Sequence, residues 1–367
     1  MSANADVMVQ HGTRDLRETA IPLPKLGDGA ALLRVEACGL CGSDIESLRG
    51  EDWATFPRVM GHEIVGTIEK IASGGRPDCK VGDRVAVDPW IPCGGCRYCL
   101  AGMGQFCSRN PFENSRLACY GYITTDNEPG LWGGYSSHVY IHPKAVVYPV
   151  PQSVDPLEAA LWQPMAAGIQ WGVVTPQLAV GATIAILGCG QRGLTATLAA
   201  REAGAGTIIV TGLGKDARKL ALARDFGADH AIDVEQDDLR ERVNHITGGE
   251  GVDVVLDTSS FSIQPVVDSI SLVRQGGTIV FAGLKAKEVD GFPVDEAIMK
   301  GIRMQGVLGM TPESYRRSIA LIASKRVPIA QMRTHVFDYH EGMRAVDTLS
   351  GKIEGEDAIN VVLSNEA

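Results

Sequence analysis

A glycine-rich turn between a buried strand and a helix is the feature that most restricts the fold of this chain. The turn reads Gly188-Cys189-Gly190-Gln191-Arg192-Gly193, between an apolar run at 183–187 and an Ala-rich helix predicted at 192–203. Such glycines permit a tight turn, a close approach of the backbone to a pyrophosphate, and close packing of helix on sheet. Alone, the motif is also compatible with an ordinary strand-to-helix turn, so its surroundings decide the interpretation.

Strand-like and helix-like segments alternate after the turn. The strand candidates are 207–210, 252–256, 278–281 and 304–308, and the helix candidates are 216–226, 239–246 and 263–273. Apolar strands that alternate with amphipathic helices indicate a parallel sheet covered on both faces. The sequence therefore predicts an α/β domain with a doubly wound parallel sheet, and a dinucleotide pyrophosphate at the N-terminus of the helix after the turn.

The rest of the chain has a different texture. The first part is β-rich, with strand candidates at 31–35, 64–71 and 84–87, followed by a helix predicted over 156–171. A helix at 312–323 and a strand at 358–363 exceed what the nucleotide fold needs. We therefore expect three segments: a first domain at 1–160, the cofactor domain at 161–308, and a final segment at 309–367 that returns to the first domain.

Four of the nine cysteines lie close together, as Cys93, Cys96, Cys99 and Cys107. Four thiolates at this spacing can surround one tetrahedral ion, and soft sulfur ligands select zinc. Such a site is closed and would stabilise the long loop between Pro89 and Pro129. Disulfides or an iron–sulfur cluster are the alternatives.

A second candidate metal site combines Cys41, in Cys41-Gly42-Ser43-Asp44, with His62 and Glu63, in Gly61-His62-Glu63. A thiolate and an imidazole from separate loops suit a zinc ion with an open position. A lone Cys or His is more often simply buried, and the neighbouring Glu63 and the downstream cysteines favour the metal interpretation.

The type of cofactor depends on the end of the second strand of the parallel sheet. An acidic residue there usually binds the ribose hydroxyls of NAD, but this chain has Gly212. Lys215 and Arg218 follow and could pair with a 2′-phosphate, although both could equally be solvated. The sequence therefore favours NADP over NAD.

The motifs together resemble the zinc-containing medium-chain dehydrogenase/reductase family, near the alcohol, sorbitol and threonine dehydrogenases. Besides those above, Gly82-Asp83-Arg84-Val85 and Gly133-Gly134-Tyr135 carry the resemblance, which covers nearly the whole chain. It implies a GroES-like catalytic domain and a Rossmann cofactor domain. It also implies a catalytic zinc at Cys41 and His62, a structural zinc at the four cysteines, and hydride transfer between an alcohol or carbonyl substrate and NAD(P).

The resemblance also implies roles for residues near the catalytic zinc. Glu63 matches an acid that binds the zinc or lies behind it. Ser43 matches the hydroxyl that takes the alcohol proton, and Asp44 matches a residue that orients the ligand His. Two positions depart from the family. Gln163-Pro164 stands where Glu-Pro is common, which leaves open whether Gln163, Glu63, water or substrate completes the zinc shell. Glu46 stands where the proton relay often ends in His.

Substrate and partners are less constrained. Trp53, Trp132 and Trp162 fall near segments that line the substrate cleft in this family. Their aromatic rings favour an aromatic or lipophilic alcohol, although core packing is commoner for Trp. Zinc-independent quinone or enoyl reductases and a non-catalytic nucleotide-binding relative are the rival functions.

The net charge of −10, without basic blocks, argues against nucleic-acid or anionic-membrane partners. No apolar run is long enough for a membrane helix, and the polar segment 1–19 lacks the core of a signal peptide. We expect a cytoplasmic homodimer or homotetramer, in contact through the apolar strand at 304–308.

Overall fold

The computed structural model describes residues 4–50 and 54–365, and its contacts divide the chain into two compact units. Unit 1 comprises Met1–Gln163 and Ile319–Ala367, and unit 2 comprises Pro164–Ser318. The sequence-based boundaries were 160/161 and 308/309. Trp53 lies outside the described residues.

The strands, numbered along the chain, are β1 Asn4–Gly12, β2 Asp15–Pro22, β3 Ala31–Gly39, β4 Arg58–Val59, β5 Glu63–Ile71, β6 Arg84–Val87, β7 His138–Ile141, β8 Val147–Pro149, β9 Thr183–Leu187, β10 Thr207–Gly212, β11 His230–Asp233, β12 Val252–Asp257, β13 Val273–Phe281, β14 Arg303–Gly306, β15 Arg333–Asp338 and β16 Asn360–Ser364. The α-helices are α1 Gly42–Arg49, α2 Arg97–Leu100, α3 Pro156–Ala159, α4 Trp162–Ile169, α5 Gln191–Glu202, α6 Ala217–Asp225, α7 Leu239–Thr247, α8 Gln264–Leu272, α9 Val294–Lys300, α10 Pro312–Ala323 and α11 Gly342–Leu349.

Unit 2 contains a six-stranded sheet in the order β11-β10-β9-β12-β13-β14, with all neighbouring strands parallel. This order is 3-2-1-4-5-6, that of a doubly wound dinucleotide-binding sheet. The helix α5 packs on β9 and β10, α6 packs on β10 and β11, and α8 packs on β12 and β13. The predicted α/β class and parallel sheet are confirmed. Because the strands are apolar and buried, polar side chains that could form a site are left to the carboxyl ends of the sheet.

Unit 1 is built from two β-sheets. One has the order β2-β1-β4, and the other has the order β15-β16-β3-β5-β6-β8, with β7 also paired to β3. The strand β16 lies antiparallel to β3, so the end of the chain adds strands to the sheet of the first domain. The hairpin β1–β2 was not predicted. Its sequence is mainly polar, and the alternation of apolar and polar residues that indicates a strand was not recognised there.

The single helix predicted over 156–171 is wrong. The structure has α3, a turn at Ala160 and Leu161, then α4 and a π-helix at Gln170–Val174. A continuous helix would require Pro164 to donate a backbone N–H to the Ala160 carbonyl, which proline cannot do. Proline is tolerated in a first helical turn, so the helix restarts at Trp162 and leaves Ala160 O available for other contacts.

Candidate metal and dinucleotide sites

The four clustered cysteines converge on one point. All four sulfur atoms lie within 4.8 Å of one another, with Sγ–Sγ distances of 3.9 Å for Cys93–Cys99, 3.5 Å for Cys96–Cys99 and 4.0 Å for Cys96–Cys107. Tetrahedral zinc with Zn–S bonds of about 2.3 Å separates its sulfur ligands by about 3.8 Å. All nine cysteines are free thiols, so the disulfide alternative does not apply. The spacing fits one ion rather than the several irons of a cluster.

The backbone of this lobe, residues 93–107, favours thiolates. Backbone N–H groups, chiefly those of Cys99 and Ser108, lower the pKa of Cys96 to about 5. The Gly95 N–H likewise lowers the pKa of Cys93. Burial raises the pKa of Cys99 to about 11. A bound divalent cation would supply the charge that this last thiol needs to ionise, so the donor set fits a metal.

A second cluster unites Cys41, His62 and Glu63, whose ligand atoms also lie within 4.8 Å of one another. Cys41 is the residue before α1, while His62 and Glu63 lie where β5 begins. The strand β3 pairs with β5 so that Gly39 lies opposite Glu63, which brings the two segments together. His62 and Glu63 are buried and Cys41 is partly buried, as a site with limited access to water requires.

Glycines make this convergence possible. Gly61 has a φ of +91°, and a Cβ there would lie 2.5 Å from the Tyr135 ring. A Cβ on Gly133 would overlap the carbonyl oxygen of Val59, and one on Gly134 would lie 2.6 Å from Cys38 Sγ. The Gly133-Gly134-Tyr135 motif therefore packs directly beneath the segment that presents His62, which explains its glycines.

Two buried polar atoms, one on His62 and one on Gln163, support a metal. Within residues 4–50 and 54–365, neither His62 Nδ1 nor Gln163 Oε1 has a hydrogen-bond partner, although both atoms are buried. A buried polar atom without a partner costs about 1–3 kcal/mol, so such atoms generally serve a ligand, water or metal. Gln163 follows Ala160 by three residues. The Ala160 carbonyl oxygen is 3.2 Å from a Cβ built on Gly39, which lies opposite Glu63.

The three predicted catalytic residues lie on α1. Asp44 is buried, and its Oδ2 accepts the backbone N–H of Cys41 at 2.8 Å, which fixes the start of the helix. Burial raises the pKa of Asp44 to about 7, against the opposing effect of His62. Ser43 and Glu46 are half-buried. This hydrogen bond of Asp44 is made to the Cys41 backbone and not to His62, so its predicted role in orienting His62 stays a prediction.

Tyr122 is a site residue that the sequence reasoning missed. Its hydroxyl lies beside the Ser43 side chain, its ring centroid is 6.0 Å from that of His62, and the Arg58 guanidinium lies 4.5 Å from its ring centroid. Burial raises the pKa of Tyr122, so its phenol stays protonated at neutral pH. No motif marks Tyr122, because it reaches the site from the loop that follows the cysteine lobe.

The glycine turn of unit 2 has the shape that a pyrophosphate needs. A Cβ on Gly193 would overlap the carbonyl oxygen of Gly188, whereas one on Gly190 would meet no atom within 4 Å. Gly190 is the exposed N-cap of α5 and has no side chain to cap the helix, and Gln191 and Arg192 form the first turn. The arrangement leaves a cradle at a helix N-terminus, which suits phosphate oxygens.

The residues predicted to choose between cofactors follow β10. Lys215 and Arg218 are exposed, whereas Gly212 is buried, and a Cβ there would lie 2.6 Å from Cys189 Sγ. Packing against Cys189, in the glycine turn, therefore requires a glycine at position 212. Its lack of a carboxylate is weaker support for NADP than it was in the sequence alone.

The expectation that Trp132 and Trp162 line a substrate pocket is wrong. Trp132 is 1% exposed, its Nε1 donates to Asn127 O at 2.7 Å, and its ring packs edge-on against Phe112. Trp162 is fully buried, with Tyr148 among its neighbours. Both rings belong to the hydrophobic interior, where large aromatic area is most favourably placed.

Among the helices of the described ranges, none combines the length and apolarity needed to cross a membrane.

Comparison with known proteins gives two family matches. Residues 27–152 match the model described as "Alcohol dehydrogenase GroES-like domain", and residues 193–324 match "Zinc-binding dehydrogenase". Together these ranges span more than half of the chain.

Individual proteins are similar over nearly the full length. "Probable alcohol dehydrogenase adh" of Mycobacterium tuberculosis is 40% identical over 347 residues, 93% of each chain. The sorbitol dehydrogenase of Bacillus subtilis is 30% identical over 348 residues, 94% of this chain and 93% of that one. A solved zinc-binding dehydrogenase of Sinorhizobium meliloti 1021, bound to NADP, is 27% identical with a TM-score of 0.85, over 99% of this chain and all of that one.

Proposed function

Because the chain belongs to the zinc-containing medium-chain dehydrogenase/reductase family, we propose that this oxidoreductase is a zinc-dependent alcohol dehydrogenase or carbonyl reductase. The observation that carries the proposal is the buried cluster of Cys41, His62 and Glu63, whose ligand atoms lie within 4.8 Å of one another. A thiolate, an imidazole and a carboxylate that leave one position open are typical of catalytic zinc.

Two metal sites with different roles follow from the two donor sets. Cys93, Cys96, Cys99 and Cys107 would hold a closed, structural zinc. Cys41, His62 and Glu63 would hold the catalytic zinc, with Gln163 Oε1 as an additional neutral donor. A zinc ion at this second site supplies a Lewis acid for the substrate oxygen. The neutral Gln163 leaves the donor set less anionic than the Glu-Pro common in the family.

The residues of α1 would handle the proton. Ser43 is half-buried and lies beside the Tyr122 hydroxyl, which would orient the hydroxyl of Ser43. In alcohol oxidation Ser43 Oγ would accept the hydroxyl proton of the substrate while it releases its own proton toward Glu46 or water. Asp44 would keep Cys41 in place through its bond to the Cys41 backbone.

Unit 2 would bind the nicotinamide cofactor at Gly188, Gly190 and Gly193, with Gln191 and Arg192 in the first turn of α5. The cofactor supplies the hydride donor or acceptor when bound. The sequence alone favours NADP over NAD, through Lys215 and Arg218. Carboxylates beside the turn that follows β10 oppose that choice.

The substrate would be a small alcohol or its carbonyl product. The burial of Trp132 and Trp162 removes their support for an aromatic preference. A cytoplasmic location and a homodimer or homotetramer in contact through β14 are the remaining expectations of this proposal.

Metal analysis combined with activity tests the proposal. We expect two zinc ions per chain, and oxidation of a reduced nicotinamide cofactor that depends on added aldehyde or ketone. Cys41→Ala should retain one zinc and lose at least about a thousandfold of turnover. Cys79→Ala is the matched control, because Cys79 is also partly buried but belongs to neither metal group.

The rival functions predict other outcomes. Full turnover by a zinc-free Cys41→Ala protein would exclude the zinc mechanism and favour a zinc-independent reductase. Dinucleotide binding without turnover, by a protein that carries both zinc ions, would favour a non-catalytic relative.

A further inference from the structure

Two carboxylates lie beside the turn that follows β10. The parallel strands β10 and β11 are in register with Gly212 opposite Asp233, so Asp233 ends its strand next to that turn. Glu235 follows two residues later, and its Oε2 accepts the backbone N–H of Gly214 at 2.8 Å. A Cβ built on Gly214 would lie 3.1 Å from Glu235 Oε2 and 3.4 Å from Asp233 Oδ2.

The position of these carboxylates matters because of what this turn binds. In a doubly wound dinucleotide-binding sheet, the adenosine ribose lies at the end of the second strand, which here is β10. A carboxylate at that point accepts hydrogen bonds from the ribose hydroxyls and repels a 2′-phosphate. Residues 212–214 contain no acidic side chain, yet Glu235 places a carboxylate oxygen 3.1 Å from a Cβ built on Gly214.

The basic residues nearby do not remove this effect. Lys215 and Arg218 are both exposed, and Lys219 already pairs with Asp216 at 2.8 Å. Glu235, in contrast, is held against the turn by the Gly214 N–H. Glu235 is exposed as well, but because this hydrogen bond holds its carboxylate at the turn, a 2′-phosphate placed there would meet that carboxylate at close range.

We propose that Glu235, supported by Asp233, is the residue that selects the cofactor and that the protein prefers NAD(H) to NADP(H). The carboxylate of Glu235 follows β11, whereas the end of β10 usually supplies this carboxylate. For that reason the sequence, with Gly212 at the end of β10, favours NADP. This inference rests on the proposed function only in requiring that the glycine turn binds a nicotinamide dinucleotide.

Equilibrium binding tests the inference without turnover. The zinc-loaded protein is titrated with NADH and with NADPH, and the increase in nicotinamide fluorescence gives each Kd. We expect the wild type to bind NADH at least about tenfold more tightly, and Glu235→Gln to reduce this ratio by about five- to tenfold through tighter NADPH binding. Glu250→Gln is the matched control, because it removes an exposed carboxylate elsewhere in unit 2 and should leave the ratio unchanged.

The salt dependence gives a second readout. Because the discrimination is electrostatic, the preference for NADH should shrink as the ionic strength rises from about 0.01 to 1 M in the wild type, and much less in Glu235→Gln. A wild type that binds NADPH more tightly, or equal ratios in Glu235→Gln and Glu250→Gln, would overturn the inference while leaving the proposed function intact. Failure of the wild type to bind either nucleotide would overturn both.

Discussion

At the scale of single residues, Ser43 depends on a partner that no motif reveals. Its hydroxyl must face the substrate oxygen in one orientation if it is to accept a proton, since proton transfer falls off steeply with misalignment. The Tyr122 hydroxyl lies beside Ser43, and the Arg58 guanidinium lies 4.5 Å from the centroid of the Tyr122 ring. We therefore regard Tyr122 as a positioning residue for Ser43 rather than a proton donor, because burial raises its pKa.

Tyr122→Phe tests this role, because it removes the hydroxyl and retains the ring beside His62 and Arg58. The loss of the hydroxyl that would orient Ser43 should lower kcat about fivefold, with a smaller change in KM. The solvent deuterium isotope effect on kcat should increase, because proton transfer becomes more limiting. Tyr98→Phe, in the cysteine lobe, is the control. An unchanged isotope effect with a lower melting temperature would mean that Tyr122 is only structural.

At the scale of elements, the cysteine lobe has little else to hold it together. Its regular structure is limited to the four-residue α2 and the 3₁₀ turn Gly104–Phe106, and Leu100, Met103 and Phe106 are exposed. Helices this short are not stable without tertiary contacts. A metal bound by the four sulfurs would therefore supply most of the lobe's order.

Removal of zinc should loosen this element selectively. After treatment with a strong chelator, we expect faster backbone hydrogen exchange in residues 93–107 by at least about a hundredfold, with little change in β9–β13. Cys99→Ser should reproduce the effect without a chelator, whereas Cys79→Ser should not. Uniform protection of residues 93–107 before and after chelation would contradict a metal-stabilised lobe.

The elements also show what the sequence can and cannot specify. The strand β9 and helix α10 have the predicted bounds. The spacing of apolar residues in each segment indicates one type of secondary structure, and the flanking residues mark where the segment ends. The convergence of Cys41, His62 and Glu63 was available only through family resemblance, since nothing local sets the pairing of β3 with β5. Tyr122 and Glu235 were missed for the same reason: their positions depend on tertiary contact and on the register between neighbouring strands.

At the scale of the whole molecule, the β14 edge of the sheet in unit 2 needs an explanation. All four residues of β14 are exposed, and Met304 and Leu308 present apolar side chains there. The helix α9 adds Ile298 and Met299, which are 68% and 83% exposed. An apolar edge strand without cover is a template for pairing with another chain. A second copy of the same protein, with the same edge turned through a two-fold axis, would cover it.

Charge reversal on this face should therefore dissociate the assembly. We expect the wild type to sediment with the mass of at least two chains, and the double variant Met299→Glu, Met304→Glu to shift toward monomer with at least about a hundredfold weaker self-association. Leu100→Glu introduces the same charge at another exposed apolar residue, in the cysteine lobe of unit 1, and should leave the mass unchanged. Dissociation by Leu100→Glu alone would move the interface to the lobe. A monomeric wild type would leave β14 uncovered and exclude the homo-oligomer.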